Sequence, residues 1–443
     1  MENWRKQSAS DLGRGIGAGR IDPVALAEAF LDAIAAHPDG RRIYARTTAP
    51  RALAEAEAAR ARARAGLRLG LLDGVPISWK DLFDTAGVET EAGSALLRGR
   101  TPEADAQVLV AATLGGAVCL GKTHMSELAF SGLGLNPVTA TPPCVNDPEA
   151  VPGGSSSGAA ASVAFDLAPA AIGSDTGGSV RIPSAWNDLV GLKTTLGRLS
   201  NKGVVPLCER FDTVGPLCRT VEDAAEVLAL LEGRRACDLR GATLAGARLA
   251  VLDTVALDDL RAEPAKGFEQ ASARLAQAGA SLTHIAAPEV TEAMAMAQVL
   301  FSTEAYAIWH QQIEARPGLM FAPILERFRG GAATTATDYI AAWRRLEELR
   351  AAWNARIAPF DAVILPTAPI LPPNAARLME DPDYYVPENL MTLRNTRIGN
   401  LMGSAGLTLP TGVPSTGIMF LGLPFAEERL LRLGAAAERA IGR

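Results

Sequence analysis

The chain has 443 residues, of which 48% are hydrophobic and 21% are charged, and its formal net charge is −6 at pH 7. These proportions are typical of a packed, soluble protein, and an acidic balance without a dense basic tract argues against a nucleic-acid-binding protein. The five cysteines include no Cys-x-x-Cys pair, which disfavours a disulfide framework and a zinc site and predicts a reducing, cytoplasmic location.

The N-terminus carries no sign of a targeting signal, because residues 1–13 are polar and lack the apolar core of a signal peptide. No stretch of about 18 apolar residues is free of proline and charge, so the sequence predicts no membrane span. The most apolar late stretch, 401–425, is interrupted by Pro410, Pro414 and Pro424.

Helices and buried strands are predicted to alternate along the first half of the sequence. Thr101-Pro102-Glu103 combines a capping residue with proline at the first helical position, which predicts a helix that begins there and ends at Gly115-Gly116. Residues 131–154 are rich in glycine, proline, asparagine and threonine and are predicted to form a long loop. The other predicted elements of this half are helices over 25–37, 52–65 and 156–167 and strands over 71–80, 117–121 and 169–174.

The alternation continues in the second half, where a strand over 248–253, a helix over 265–278 and a strand over 281–285 repeat the same unit. A strand is also predicted over 361–366. This order predicts an α/β fold with a central parallel or mixed sheet flanked by helices, and the chain 1–443 is interpreted as one domain. The helix predicted over 337–357 carries on one face Ile340, Trp343, Leu346, Leu349 and Trp353.

Two segments, 152–158 and 173–183, are rich in glycine and serine. Such a composition also suits a flexible linker, but both segments adjoin apolar elements of small residues rather than polar tracts. They are therefore interpreted as tight backbone turns that direct several N–H groups toward one point. A developing oxyanion requires that arrangement.

A serine hydroxyl becomes a good nucleophile only when a neighbouring base takes its proton. Lys80 is a candidate base, because it follows an apolar strand and burial can lower the pKa of a lysine toward neutrality. A strand-end lysine that reaches solvent explains the same segment equally well. The sequence has four histidines, which are His37, His124, His284 and His310. None of them lies in a local motif that would present it as the base.

Three segments resemble the hallmark motifs of the amidase signature family in their residues, their order and their spacing. The resemblance is strong over residues 5–230 and weaker toward the C-terminus. It implies the amidase signature fold and the hydrolysis of an amide. The segments are 74–81 (Gly-Val-Pro-Ile-Ser-Trp-Lys-Asp), 153–158 (Gly-Gly-Ser-Ser-Ser-Gly) and 175–183 (Asp-Thr-Gly-Gly-Ser-Val-Arg-Ile-Pro).

The resemblance implies roles for particular side chains. Ser179 matches the family's nucleophile, Ser155 matches a bridging serine that is usually held in a cis peptide, and Lys80 matches a base that is neutral at rest. Lys80 would take the proton of Ser179 through Ser155 and return it to the leaving amine, and water would hydrolyse the acyl-enzyme by the same relay. Asp175 and Arg181 match supporting residues that hold the loop.

The resemblance also assigns an oxyanion hole to the backbone N–H groups of Thr176, Gly177, Gly178 and Ser179. It implies neither a metal nor another cofactor. The implied substrate is a small-molecule amide, which could be aliphatic, aryl, ureido or peptide-like, and esters could be cleaved through the same acyl-enzyme.

Residues that could contact the substrate lie after Lys122 and in the C-terminal half. Arg394 and Arg397, near Asn400, could bind a substrate carboxylate with two hydrogen bonds each. Solvent exposure explains these arginines as well, and core packing is the alternative for Trp309. The remaining candidates are Met125, Ser126, 131–135, Tyr306, Trp309 and His310.

Three other interpretations remain open. Residues 154–158 fit the Gly-x-Ser-x-Gly motif of α/β-hydrolases, but only His284 and His310 follow and neither is placed as that fold requires. The chain could be the glutamine-hydrolysing amidase component of a tRNA-dependent amidotransferase complex, with a partner that contacts the tRNA. It could also be a catalytically silent binding protein, although the motif residues together argue against that. A homodimer is compatible with the sequence.

Overall fold

An eleven-stranded mixed sheet forms the centre of the molecule, and the computed structural model describes residues 4–442. The strands are β1 (Tyr44–Thr47), β2 (Pro76–Lys80), β3 (Val118–Thr123), β4 (Ala170–Asp175), β5 (Val190–Lys193), β6 (Thr213–Cys218), β7 (Arg248–Leu252), β8 (Ser281–Ile285), β9 (Ala362–Pro366), β10 (Ala405–Pro410) and β11 (Gly417–Gly422).

Helices cover the sheet and connect its strands. They are α1 (Ala9–Gly17), α2 (Pro23–Ala36), α3 (Gly40–Ile43), α4 (Ala49–Ala65), α5 (Gln107–Leu114), α6 (Ser157–Ala164), α7 (Arg181–Trp186), α8 (Val221–Glu232), α9 (Ala262–Gln277), α10 (Pro288–Ala295), α11 (Ala297–Ala315), α12 (Ala322–Arg329), α13 (Ala336–Ile357), α14 (Ala375–Glu380), α15 (Pro382–Leu401) and α16 (Glu427–Ile441).

The strand order in the sheet is β1-β3-β2-β4-β6-β5-β10-β11-β9-β7-β8. Strand β2 runs parallel to both β3 and β4, and β7 runs parallel to both β8 and β9. The remaining neighbours in this order pair antiparallel. The mixed sheet with flanking helices confirms the predicted fold class. Between residues 4 and 442, no helix combines the length and the apolar character needed to cross a bilayer.

The prediction that a helix begins at Thr101 was wrong, because α5 begins at Gln107. The intervening loop is held by tertiary contacts: Asp105 accepts two hydrogen bonds of 2.8 Å from Arg51. The N–H of Ala106 donates to the carbonyl of Asp84 at 2.8 Å. These contacts override the local capping signal. The helix ends at Leu114, directly before the two glycines, as predicted.

The amphipathic face predicted for α13 is buried along only part of its length. Trp343, Leu346, Leu349 and Trp353 are buried, but Ile340 is 54% exposed. Ile340 lies in the first turns of a helix whose beginning is exposed along several successive residues. The first turns therefore contact the core through Tyr339 and Ala342, which are only partly buried, rather than through Ile340.

The long loop predicted over 131–154 contains neither helix nor strand, and it packs tightly against the elements around it. Leu133 and Val151 are fully buried in a cluster with Ile182 and Trp186 of α7. The N–H of Gly132 donates to Oδ1 of Asn389 in α15 at 3.0 Å. The loop is therefore fixed against the two helices that flank the candidate site.

Candidate active site

Lys80 is the last residue of β2, and its side chain is fully buried. Because β2 and β4 are parallel, with Trp79 opposite Ile172, their carboxyl ends meet at one edge of the sheet. Nζ of Lys80 donates to Oγ of Ser155 at 2.7 Å and to Oγ of Ser174 at 2.8 Å. The peptide bond that precedes Ser155 is cis, as the family resemblance implies.

The surroundings of Lys80 favour its neutral amine. Burial lowers its pKa to about 7, against the opposing influence of the Asp175 and Asp212 carboxylates. Within residues 4–442, no carboxylate forms an ion pair with Lys80. A lysine with a pKa near neutrality is partly unprotonated at pH 7 and can accept a proton.

Ser179 lies in the turn that joins β4 to α7, and only 3% of its surface is exposed. Its carbonyl accepts a hydrogen bond of 3.2 Å from the N–H of Ser156, which places the turn beside Ser155. No hydrogen bond joins the hydroxyls of Ser155 and Ser179 in the described part of the chain. Lys80 and Ser155 are thus in direct contact, and Ser179 lies in the adjacent turn.

The carboxylate of Asp175 holds this turn together. It accepts hydrogen bonds from the N–H groups of Gly178 at 2.8 Å and Val180 at 3.1 Å. Nε and Nη2 of Arg181 donate to the two carboxylate oxygens at 3.0 and 2.9 Å, and Nδ2 of Asn400 donates at 2.9 Å. Burial raises the pKa of Asp175, but the Arg181 guanidinium outweighs this effect and holds that pKa well below its usual range. These contacts agree with the supporting role predicted for both residues.

The backbone of the turn presents N–H groups of two kinds. The Gly178 N–H already donates to Asp175, whereas those of Gly177 and Ser179 have no protein acceptor between residues 4 and 442. The Gly177 carbonyl accepts a hydrogen bond of 2.8 Å from the hydroxyl of Thr396, which fixes the orientation of the peptide. This arrangement suits an oxyanion that approaches Ser179.

Sequence reasoning missed Ser174 and Asp212 as members of the site. The signal for Ser174 was its position beside Asp175 at the end of an otherwise apolar strand. Asp212 accepts a hydrogen bond of 2.5 Å from the hydroxyl of Thr176, and bonds from the N–H groups of Leu207 at 2.9 Å and Cys208 at 3.0 Å. Burial raises the pKa of Asp212, and these hydrogen bonds oppose the shift.

A small cavity opens beside Ser179. Of the residues predicted to contact substrate, Ser131 and Arg397 line it. Arg394 does not line it, and its Nε donates to the side chain of Asn395 at 3.2 Å. Sequence patterns gave no indication of the residues that other helices contribute, which include Phe301 of α11 and Arg327 of α12.

The other predicted pocket residues do not line this cavity, although the N–H of Ser126 donates to the carbonyl of Ser155 at 3.1 Å. Met125 and Ser126 are fully buried. Trp309 packs in the main core, and its Nε1 donates to the carbonyl of Pro206 at 2.9 Å. Tyr306 and His310 form a tilted ring pair on the same helix, with centroids 5.8 Å apart. None of these residues lines the cavity at Ser179.

No histidine is in a position to activate either serine, since within residues 4–442 none hydrogen-bonds to Ser155 or Ser179. This geometry does not support the α/β-hydrolase interpretation, in which a histidine is the base. Among the same residues, no group of three or more His, Cys, Asp or Glu side chains is placed to hold a metal ion.

Comparisons with known proteins agree with this geometry. The chain is 34% identical over 402 residues to 2-amino-5-chloromuconic acid deaminase of Comamonas testosteroni, with 88% of this chain and 87% of that protein covered. It is 32% identical to the A subunit of the glutamyl-tRNA(Gln) amidotransferase of Chloroflexus aurantiacus, over 96% of this chain and 94% of that one.

The fold also matches the peptide amidase of Stenotrophomonas maltophilia, with a TM-score of 0.82, 27% sequence identity, and 98% and 96% of the two chains covered. The sequence model of the Amidase family matches residues 25–431. The chain therefore belongs to the amidase signature family and is a hydrolase of carbon–nitrogen bonds.

Proposed function

We propose that the protein hydrolyses a small-molecule carboxylic amide to an acid and ammonia or an amine, through an acyl-enzyme on Ser179. The observation that carries this proposal is the buried contact of 2.7 Å between Lys80 Nζ and Ser155 Oγ. A fully buried lysine beside two serine hydroxyls, with a pKa of about 7, supplies the base that a serine nucleophile needs.

In the first step, the neutral Lys80 amine takes the hydroxyl proton of Ser155 while Ser155 takes that of Ser179, whose Oγ attacks the amide carbonyl. The backbone N–H groups of Thr176, Gly177 and Ser179 donate to the oxyanion that forms. The N–H of Gly178 takes part by sharing its bond with Asp175. The proton then returns through Ser155 to the leaving nitrogen, and the C–N bond breaks.

In the second step, water replaces the amine and loses a proton through Ser155 to Lys80 as it attacks the acyl carbon. The tetrahedral species collapses, the ester bond to Ser179 breaks, and the same proton restores the serine hydroxyl. The cycle consumes one amide and one water and releases one acid and one amine or ammonia. Both steps use the same three side chains, which are Lys80, Ser155 and Ser179.

The test is turnover of a panel of aliphatic, aryl and ureido amides, with release of acid and of ammonia or amine measured together. Ser179→Ala is expected to abolish both products. Ser157→Ala is the matched control, because it removes a nearby serine hydroxyl whose contact is a weak bond of 3.4 Å to the His124 carbonyl. Turnover retained in Ser179→Ala, or lost equally in Ser157→Ala, would contradict the proposal.

A second candidate is a glutamine-hydrolysing component of a tRNA-dependent amidotransferase. It is favoured by the 32% identity, over nearly the full chain, to proteins named as the A subunit of glutamyl-tRNA(Gln) amidotransferase. The muconic acid named for another relative favours a free small molecule instead. Glutamine hydrolysis that appears only when a second chain co-purifies would support the amidotransferase, and turnover of small amides by the isolated chain would support the amidase.

A further inference from the structure

The cavity beside Ser179 has an unusual balance of charge. Its apolar wall includes Phe130, Phe301 and Leu393, and its two ionisable residues, Arg327 and Arg397, are both cationic. No carboxylate belongs to its lining. The cavity therefore presents two positive charges next to the proposed nucleophile with no negative charge to balance them.

Arg327 is held in place by neutral groups. Its Nη1 donates to the carbonyl of Phe130 at 3.0 Å, and its guanidinium lies over the Phe130 ring at 4.4 Å from the centroid. No ion pair involves it in the described part of the chain. The carbonyl and the ring fix the plane of the guanidinium and leave its other N–H groups available to a ligand.

Arg397 makes fewer contacts with the protein than Arg327 does. Its guanidinium lies 6.0 Å from the centroid of the Phe301 ring, and between residues 4 and 442 no acceptor or carboxylate is paired with it. Burial lowers the pKa of Arg397 to about 9, and the positive charge of Arg327 contributes in the same direction. Burial likewise lowers the pKa of Arg327 to about 10. Both cations are thus partly desolvated and repel each other.

Two other buried arginine side chains are neutralised by carboxylates. Arg181 is fully buried against Asp175, and Arg198 contacts Glu232, Glu427 and Glu428. Unpaired cations in a partly desolvated site are unfavourable unless an opposite charge arrives. The hydroxyl of Ser131 cannot supply it, because it is neutral and already donates to Asn389 at 3.1 Å.

We propose that the substrate itself carries a carboxylate, which Arg397 binds while Arg327 adds its positive charge, so that the amide carbonyl lies at Ser179. The preferred substrates are then half-amides of short dicarboxylic acids. A guanidinium binds a carboxylate through two parallel hydrogen bonds, which fixes both position and orientation. This inference rests on the proposed amidase function and specifies the substrate class for that site.

The first test compares matched substrates of increasing length: malonamate, succinamate and glutaramate against the corresponding neutral diamides. The wild type is expected to show a kcat/KM roughly 10- to 100-fold higher for the best half-amide than for its diamide, as charge-assisted hydrogen bonds provide. Arg397→Met should remove most of this preference, because it should lower kcat/KM for the half-amide far more than for the diamide. Equal turnover of both substrates by the wild type would overturn the inference.

The control variant is Arg394→Met. It removes an arginine from the same helix, three residues away, that does not line the cavity, so the half-amide preference should persist. A preference lost equally in Arg394→Met and Arg397→Met would indicate a general charge effect and contradict the assignment. If Arg397→Met does not fold, Arg397→Lys serves in its place, with the charge kept and the paired hydrogen bonds lost.

A second measurement separates this inference from the proposed function. Titration calorimetry with malonate, succinate and glutarate needs no catalysis, and at least one is expected to bind wild type and bind Arg397→Met at least tenfold more weakly. Failure of all three to bind would overturn the carboxylate site even in an active amidase. Binding in a protein that hydrolyses no amide would retain the site and contradict the proposed reaction.

Discussion

Lys80 occupies an environment in which a charged ammonium is unfavourable. Its side chain is fully buried, and its hydrogen-bond partners are the two neutral hydroxyls of Ser155 and Ser174. An exposed lysine at the end of a strand was the alternative interpretation of the same sequence, and the burial excludes it. A short apolar strand before a lysine predicts neither outcome, because burial depends on which segments pack over the strand end.

The buried lysine predicts a pH-dependent stability. Its pKa falls from 10.5 to about 7 on folding, so between these values the unfolded chain binds a proton that the native protein does not. The stability of the wild type relative to Lys80→Met should therefore rise from pH 7 toward pH 10.5, by about 1.4 kcal/mol per pH unit. Below pH 7 the lysine is protonated in both states and the difference should level off.

Urea unfolding of the wild type and Lys80→Met, measured at several pH values from 6 to 10, tests this dependence. Taking the difference between the two proteins removes the contributions of groups that they share. Parallel stability profiles across this range would mean that the Lys80 amine keeps its ordinary pKa, and the proposed base would lose its main support.

At the scale of an element, the turn between β4 and α7 depends on two adjacent glycines that differ in their surroundings. Gly178 has φ of 134°, and a Cβ there would fall against the hydroxyl of Thr396 and lie 2.6 Å from its Cβ. A Cβ on Gly177 would lie 3.7 Å from Cδ2 of Leu393, an ordinary contact. The turn therefore tolerates a side chain at one position and not at the other.

Gly178→Ala is expected to destabilise the protein by at least ~2 kcal/mol, because backbone strain adds to the clash with α15. Gly177→Ala, the matched control, should change the free energy of unfolding by less than about 1 kcal/mol. Chemical denaturation of both variants measures the difference. Similar midpoints for the two would contradict the close approach of α15 to this turn.

The elements that sequence patterns predicted best are those in which local signals and tertiary contacts agree. The strand over 281–285 was predicted with its observed bounds, because apolar and turn residues delimit it clearly. The prediction that a helix begins at Thr101 was wrong, since the ion pair of Asp105 with Arg51 holds the segment as a loop. Such a contact joins residues 54 positions apart, so no local pattern contains it.

At the scale of the whole molecule, the sheet order decides which distant residues meet. Strand β10 lies between β5 and β11, and α15, which precedes it, places Asn400 against Asp175 and Thr396 against Gly177. The motifs in the first half of the sequence identified the segments that carry the chemistry. They could not show that α15 and α12 form the opposite wall of the cavity, because the resemblance is weaker toward the C-terminus.

The two arginines of the cavity illustrate the same limit. Arg394 and Arg397 were equal candidates in the sequence, one turn apart on α15, and only the packing of that helix directs Arg397 into the cavity. Arg327 comes from α12 and was not a candidate. Which arginine faces the nucleophile is thus a property of the assembled fold.

Reaction of the purified protein with a fluorophosphonate, followed by intact mass, tests the central claim that Ser179 is an activated nucleophile. The reagent requires no knowledge of the substrate. A single adduct on wild type and on Ser157→Ala, its absence on Ser179→Ala, and slower formation on Lys80→Met are the predicted results. An adduct that persists on Ser179→Ala, or a folded wild type that remains unlabelled, would contradict the assignment of Ser179 as the nucleophile.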